Sequence, residues 1–398
     1  MTKRFPKMRA WLLSACIVSA VVVLAACGGS TPAPTSAPPT AAPQPTAAPA
    51  QPTAAPQANA AGKDYCKDNE GTLILYNWPD YVAPKTLEEF AKKCNVQVTQ
   101  DFYSSNEDLL AKVTAGGTGY DVVAPTGYAV ELLHNKDLLL TLDQSALPNM
   151  KNLAPEFLKG RPHDPNSDFS ITKNWGTLGI MWNTEKVTED IQSWDDLWKI
   201  APKYSGKIIV VDSPPDVLGA ALKYIGASWN SSDKAELDKA LAKLLEIKPY
   251  IRSFDTNYFG RLANDEVYIV VGYNGDAFNV NAQRAEAGKP ESIKYVVPSE
   301  GSNVWEDSWA VLKDAPHPKA ALAFINYLLE PEVQAWETNY THYASPVPGA
   351  DKFIEPDVRN NPAVYPSADA IKKLEPTINL PADILQYREE IWTKFKGS

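Results

Sequence analysis

Past position 70 the chain alternates short apolar runs with stretches whose apolar residues recur every three or four positions. Runs at 73–76, 96–102 and 121–124 have the β-branched and aromatic content of strands. Between them, 84–93 and 107–115 read as amphipathic helices, the first with Leu87, Phe90 and Ala91 on one stripe behind Pro84. Strand, helix, strand, helix, strand predicts an α/β layer. A second block follows the Pro/Asp/Asn-rich loop at 161–167. It has strand runs at 208–211 and 267–271 and helices at 217–225 and 234–245. Further on come a strand run at 295–297 and helices at 318–329, 331–337 and 382–396, the last carrying Ile384, Tyr387, Ile391 and Phe395. Two α/β lobes are expected, without an internal repeat.

The start of the chain is different. Lys3, Arg4, Lys7 and Arg9 precede an apolar run over 10–26, the pattern of an export signal and marginal in length for spanning a bilayer. The run ends in Leu24, Ala25, Ala26, Cys27 and Gly28, similar to a bacterial lipobox, which implies cleavage after 1–26 and a lipid on Cys27. An uncleaved anchor is the alternative, and both readings place the remainder outside the cytoplasm. Residues 28–62 carry no charge and are built from Ala, Pro, Thr, Gln, Ser and Gly, a composition that cannot form a core. At ~3.1 Å per residue such a tether would reach roughly 100 Å. The expected order is therefore a signal peptide at 1–26, a lipidated cysteine and disordered tether at 27–63, and a folded body beyond.

Four cysteines are present. With Cys16 in the leader and Cys27 as anchor, Cys66 and Cys94 remain as an even pair in an oxidising compartment, where a disulfide is the expected use. Free thiols and a metal site are the alternatives, the second weakened because His134, His163, His317 and His342 are scattered.

Lys plus Arg number 38 against 48 Asp plus Glu, a net charge of −10. Loss of the four leader cations leaves 34 against 48. That balance disfavours a protein that tracks nucleic-acid phosphates and suits a cationic ligand. The usual nucleophile-elbow, zinc, phosphate-loop and dinucleotide motifs are missing. Asp164, Asn166 and Asp168 open like a calcium loop, but Phe169 stands where Gly is required and Trp175 where the bidentate Glu belongs, so an ordinary Asx-rich loop is expected. No metal, cofactor or catalytic residue is predicted.

The informative pattern is a gathering of acids and aromatics directly after predicted strands, where open α/β sheets bind ligands. Trp78, Asp80 and Tyr81 follow the first strand, and Thr126 and Tyr128 follow the third. In the second block Asp212, Ser213 and Asp216 follow 208–211, Tyr273 and Asp276 follow 267–271, and Trp305, Asp307 and Trp309 follow 295–297 after a turn. Singly, such residues are usually rim packing or helix caps. Together they describe a cleft for a cation with apolar spacers, because buried carboxylates need cations and aromatic faces enclose methylenes. Linear polyamines fit; a neutral sugar competes for the aromatics but would call for more Asn, Gln and Arg beside them.

From Gly71 to Lys396 the chain resembles the spermidine/putrescine-binding proteins of ABC importers, of the type II periplasmic-binding-protein fold. The resemblance is carried by LYNWPDYV at 75–82, YDVVAP at 120–125, SWDDLW at 193–198 with YSG at 204–206, GYNGD at 272–276, WEDS at 305–308 and YASP at 343–346. It implies two discontinuous lobes, 64–173 plus 304–352 and 174–303 plus 353–398, joined by two crossover strands near Lys173 and Asn303. The ligand cleft would lie between the lobes and close about that hinge. By the same resemblance Trp78 and Tyr81 would pack on the alkyl chain, Asp80 would face an amine, and Thr126 and Tyr128 would line the first lobe. Asp216, Tyr273 and Asp276 would come from the second lobe, Trp305 and Asp307 would be the central ring and its amine carboxylate, and Tyr343 would join the lining. Ser213 stands where spermidine binders often carry Asp, Pro79 replaces a small hydroxyl residue, and the family's glutamine before the last helix is missing. With Asp216 and Asp276 both present, a protein accepting putrescine and spermidine is expected. The implied partners are the polyamine, an ABC permease and, through the lipid, a membrane, with the protein itself a monomer and no nucleic acid involved. Competing readings are a binder of another small solute, a sensor lipoprotein and a secreted enzyme.

Overall fold

Nine strands carry the sheet of the computed structural model, which describes residues 65–67 and 69–397. The predicted leader, Cys27 and the whole of the tether lie outside these residues. In chain order the strands are β1 (Thr72–Asn77), β2 (Gln97–Phe102), β3 (Val122–Val123), β4 (Ser170–Asn183), β5 (Ile208–Val210), β6 (Ile251–Phe254), β7 (Ile269–Tyr273), β8 (Ile293–Val296) and β9 (Val304–Val311). They run in the order β2-β1-β3-β9-β4-β7-β5-β6, with β8 also paired to β4. The type II periplasmic-binding-protein fold is thus a mixed sheet in two halves.

One strand joins the halves. β4 spans 14 residues, pairs antiparallel with β9 from Ser170 to Thr177 and with β7 from Leu178 to Trp182. Within the first half β1 is parallel to β2 and β3, and in the second β5 is parallel to β6 and β7. The only way to feed parallel neighbours is through crossover helices. Pro84–Cys94 and Asn106–Thr114 serve β1, β2 and β3, while Pro214–Tyr224 and Lys234–Ile247 lie between β5 and β6. Each helix starts where its sequence says it should: Pro84 and Pro214 sit at the first turn, and Ser105 and Asp233 accept backbone N–H bonds as caps.

Two apolar cores follow from this layering. Leu73, Leu75, Phe90, Val122, Ile171, Trp309 and Phe324 pack together under the first half. Leu178, Ile180, Trp194, Ile208, Leu218, Trp229 and Ile269 do so under the second, and there the closing helix Ala382–Gly397 adds Ile384, Ile391 and Phe395. Cys66 and Cys94 are bonded, with Cα atoms 4.7 Å apart. Asn69 braces the link, its amide donating to both cysteine carbonyls at 2.7 and 2.8 Å. Among the described residues no helix is long and apolar enough to cross a membrane.

Several elements depart from the periodicity reading. The third strand is only two residues long, because Asp121 is buried and spends its carboxylate on the backbone N–H groups of Ile74 and His317 at 2.8 and 2.6 Å. β4 and β9 escaped the apolar-run reading because Thr172, Lys173, Asn174, Glu306 and Asp307 interrupt them, and every one of these side chains is engaged with protein. Trp305, Asp307 and Trp309 therefore lie on a strand rather than after one, and Trp309 belongs to the first core. Helix Asn274–Glu286 was missed for its polar, Gly-containing start.

The Asx-rich loop is a folding device. Asp164 accepts backbone N–H bonds from Asp168, Phe169 and Ser170 at 2.8–3.0 Å and faces Arg161 at 3.3 Å. Arg161 is itself buried and reaches Glu306 at 2.8 Å, which ties this loop to the back of β9.

Candidate functional site

The centre of the site is Trp305, where β9 begins. Its ring approaches Gly176 on β4 so closely that a Cβ there would stand 2.3 Å from the indole, which is why the facing position carries no side chain. Tyr343 meets the Trp305 ring edge-on with centroids 4.6 Å apart, and Tyr273 does so at 6.1 Å. Tyr81 lies 6.1 Å from Tyr343, so four aromatic rings form a connected wall.

Three buried aspartates stand around that wall. Asp307, two residues after Trp305 and hence on the same strand face, accepts from the Tyr81 hydroxyl at 2.5 Å and from Thr126 Oγ1 at 2.7 Å. Thr126 starts helix Gly127–Asn135 but makes no side-chain cap; its hydroxyl is spent on Asp307 and receives the Asn106 amide at 3.0 Å. Asp276, in the first turn of Asn274–Glu286, accepts from Tyr258 and, at 2.9 Å, from Tyr343. Asp216, in the first turn of Pro214–Tyr224, accepts from Tyr273 at 2.8 Å and from the Asn303 amide at 3.0 Å. Ser213, the residue before that helix, is close enough to hold the same carboxylate down. Two helix N-termini thus present an anion to the site, the end at which the helix dipole favours one.

None of these three carboxylates forms a salt bridge with Lys, Arg or His among the described residues. Burial pushes all three up, Asp276 and Asp307 to about 6, and the hydroxyl and amide donors, joined at Asp307 by the more distant Lys173 charge, only partly counter it. Glu306 behaves oppositely on the other face of β9. Burial would raise it, but His163 and Arg161 hold it down at about 2. The site is therefore a group of buried carboxylates without a directly paired cation, set among aromatic rings, a chemistry complementary to ammonium groups and to the methylenes between them.

Of the residues picked out in the sequence, the structure brings together Tyr81, Thr126, Ser213, Asp216, Tyr273, Asp276, Trp305, Asp307 and Tyr343. Trp78 stands at the margin, its indole N–H donating to the Ala124 carbonyl at 2.9 Å and its ring packed on Tyr103. Tyr128 is half-buried and bonded to Glu107 at 3.1 Å. Asp80 is exposed on the turn after β1, at φ +53°, next in the chain to Tyr81. Asp212, too, is at the surface, paired with Lys396 at 2.9 Å. Sequence reasoning missed Asn106, Asn174, Tyr258 and Asn303. Asn174 was findable as a buried-strand position with an amide; Tyr258 reaches Asp276 from a distant turn and gave no signal.

Comparison with known proteins agrees with this geometry. The family model described as bacterial extracellular solute-binding protein matches residues 85–366. A putrescine-binding periplasmic protein of Pseudomonas aeruginosa is 35% identical over 85% of this chain and 95% of its own length. The spermidine/putrescine-binding periplasmic protein of Escherichia coli is 35% identical over 83% of this chain and 93% of its own. Among solved structures, a spermidine/putrescine ABC transporter substrate-binding protein of Streptococcus pneumoniae superposes with a TM-score of 0.73 at 33% identity, covering 82% of this chain and 98% of that one. With the matched segment taking in most of the folded body and relatives more than 30% identical along most of its length, the chain belongs to the bacterial extracellular solute-binding protein family.

Proposed function

We propose that this chain captures putrescine and spermidine outside the cytoplasm and hands them to an ABC import permease. The observation that carries the reading is the set of three buried carboxylates, Asp216, Asp276 and Asp307, none in a salt bridge among the described residues, around Trp305. A diamine needs two of them and a triamine three, with Tyr81, Tyr273, Trp305 and Tyr343 enclosing the methylenes and Trp78, Thr126, Tyr128 and Ser213 completing the lining. Asp80, on the exposed turn before Tyr81, would face an amine from the rim. An ammonium costs several kcal/mol to dehydrate, and only an enclosed, anionic site can offset that loss.

The lobes proposed from the sequence, 64–173 with 304–352 and 174–303 with 353–398, supply the two sides. Asp307, Tyr81 and Thr126 come from the first, Asp216 and Asp276 from the second, and β4 is the hinge strand. Capture is then linked to closure, because the ligand gains its full set of contacts only in the closed shape, which is the shape a permease can distinguish. We place the protein as a monomer held to the membrane by a lipid on Cys27, with 28–63 as its tether. Replacing Cys27 by Ala would release the protein from the membrane fraction, and continued membrane retention would count against the anchor.

Calorimetric titration of the purified protein with putrescine, spermidine, an oligosaccharide and a basic amino acid tests the reading. Micromolar or tighter binding of a polyamine is expected. Silence with both polyamines and heat with another solute would leave the chamber standing and overturn the ligand.

A further inference from the structure

Lys173 lies on β4 at the register shift between Thr172 and Asn174, and its side chain is completely buried. Its ammonium stands 3.2 Å from Glu337, 4.1 Å from the centroid of the Tyr81 ring and 5.4 Å from that of Trp309. Glu337, on helix Pro331–Thr341, uses its second oxygen to accept from the Ala83 N–H at 3.0 Å and the Thr86 hydroxyl at 2.6 Å. A buried ion pair of this kind is weak evidence for stability, since apolar groups of like volume often serve as well. Its position relative to the site is more telling. The same Tyr81 ring that covers the ammonium carries its hydroxyl between Asn174 Oδ1 at 2.6 Å and Asp307 Oδ2 at 2.5 Å.

One hydroxyl has one proton to give. It can donate to an ionised Asp307, or donate to Asn174 while a protonated Asp307 donates to the tyrosine oxygen. A cation held against the ring favours the arrangement with the negative charge on Asp307. Of the other groups facing Asp307, the Thr126 hydroxyl also favours the anion by donating to it, but none brings a positive charge. Thr126 comes from the start of helix Gly127–Asn135, Tyr103 from beyond β2 and Asn174 from β4, all neutral, while Glu306 on β9 itself is negative and taken up by Arg161 and His163.

We propose that Lys173 and Glu337 are a positioning pair for the amine site: the ammonium beneath Tyr81 keeps that hydroxyl donating to an ionised Asp307 and so readies the carboxylate for a ligand ammonium. The role attached to the ligand rests on the polyamine reading above; the electrostatic role does not. Burial lowers Lys173 and Glu337 draws it back, consistent with a charge that is kept at some cost.

The test is a carbon-13 NMR titration of aspartate carboxyls in the full chain without ligand, with Asp307 assigned by the signal lost in Asp307→Asn. In Lys173→Met/Glu337→Gln, which removes both charges and nearly conserves volume, the Asp307 midpoint should rise by roughly one pH unit. Putrescine affinity should fall with it, the deficit against wild type widening from almost nothing at pH 8 to about fivefold at pH 6. Tyr81→Phe keeps the ring over the ammonium and removes the donor, so it too should raise the midpoint, and it serves if the double variant does not fold. An unshifted Asp307 midpoint in either folded variant overturns the proposal, as does a loss of affinity equal at every pH. A shifted midpoint in a protein that binds no polyamine would sink the ligand reading and uphold the pair.

Discussion

Asp276 and Asp307 each sit where an ionised carboxylate is costly, and that cost has a direction that can be measured. Both have folded values raised to about 6 by burial, above the unfolded carboxylate range. A raised acid stabilises the fold while protonated, fully below its unfolded value, and that contribution is lost as pH climbs through about 6. At pH 7.5 the unliganded protein therefore carries two strained anions. Asp307→Asn or Asp276→Asn should raise the unliganded melting temperature at pH 7.5, by an amount corresponding to about 1–2 kcal/mol, while lowering polyamine affinity by about 2 kcal/mol or more. Differential scanning calorimetry and titration calorimetry on the same samples check both signs; variants less stable than wild type would show that the carboxylates are structural. Binding should also weaken as pH falls below about 6, because the ammonium must displace protons from the two sites. Titrations in buffers of different ionisation enthalpy should show proton release at pH 5.5 and little at pH 8. Most of these residues were legible one by one, since an acid beside an aromatic after a strand is a visible signal. What the local signal does not carry is burial: Asp80 satisfies it equally well and is exposed, on a turn after β1 that takes it through a left-handed conformation.

At the scale of elements, β9 is held from behind. Glu306 points away from Asp307 and receives Arg161 at 2.8 Å and Thr172 at 2.7 Å, with His163 at 3.5 Å. Arg161→Met would leave buried Asp164 beside no cation and Glu306 with His163 alone, and breaking such a pair costs about 3 kcal/mol or more. Chemical denaturation should register that loss, and a variant within 0.5 kcal/mol of wild type, on the order of an ordinary surface substitution, would refute the bracing role. The disulfide works at the other end of the first half, closing a loop of sequence separation 28 between Cys66 and the end of helix Pro84–Cys94. Loop-closure entropy assigns it about 3–4 kcal/mol, so unfolding under reducing conditions should move to correspondingly lower denaturant. Helices with clean stripes and caps were readable, including Pro84–Cys94 and Lys234–Ile247. β4 and β9 were not read from periodicity, because a strand that builds a site carries polar residues exactly where a core strand would be apolar.

On the scale of the molecule, elements far apart in sequence meet across the site. Asn379 donates its amide to the Tyr128 carbonyl at 3.2 Å, and Tyr343 bridges the Trp305 wall to Asp276. If the chamber closes on its ligand, small-angle X-ray scattering should give a smaller radius of gyration with putrescine than without it at pH 7.5, and the difference should vanish in Trp305→Ala. An identical radius in both states of the wild-type protein would argue against closure about β4.

The sequence by itself determined the α/β class, the order of most elements, the pairing expected of Cys66 and Cys94, and the chemistry of the site as acids among aromatics. These are local properties: periodicity, caps, and residue types next to predicted strand ends. The tertiary structure alone decided which acids count. Burial and the pairing of side chains hundreds of positions apart, such as Tyr81 with Asp307 or Lys173 with Glu337, depend on how the strands are ordered across the sheet, and no local pattern encodes that order.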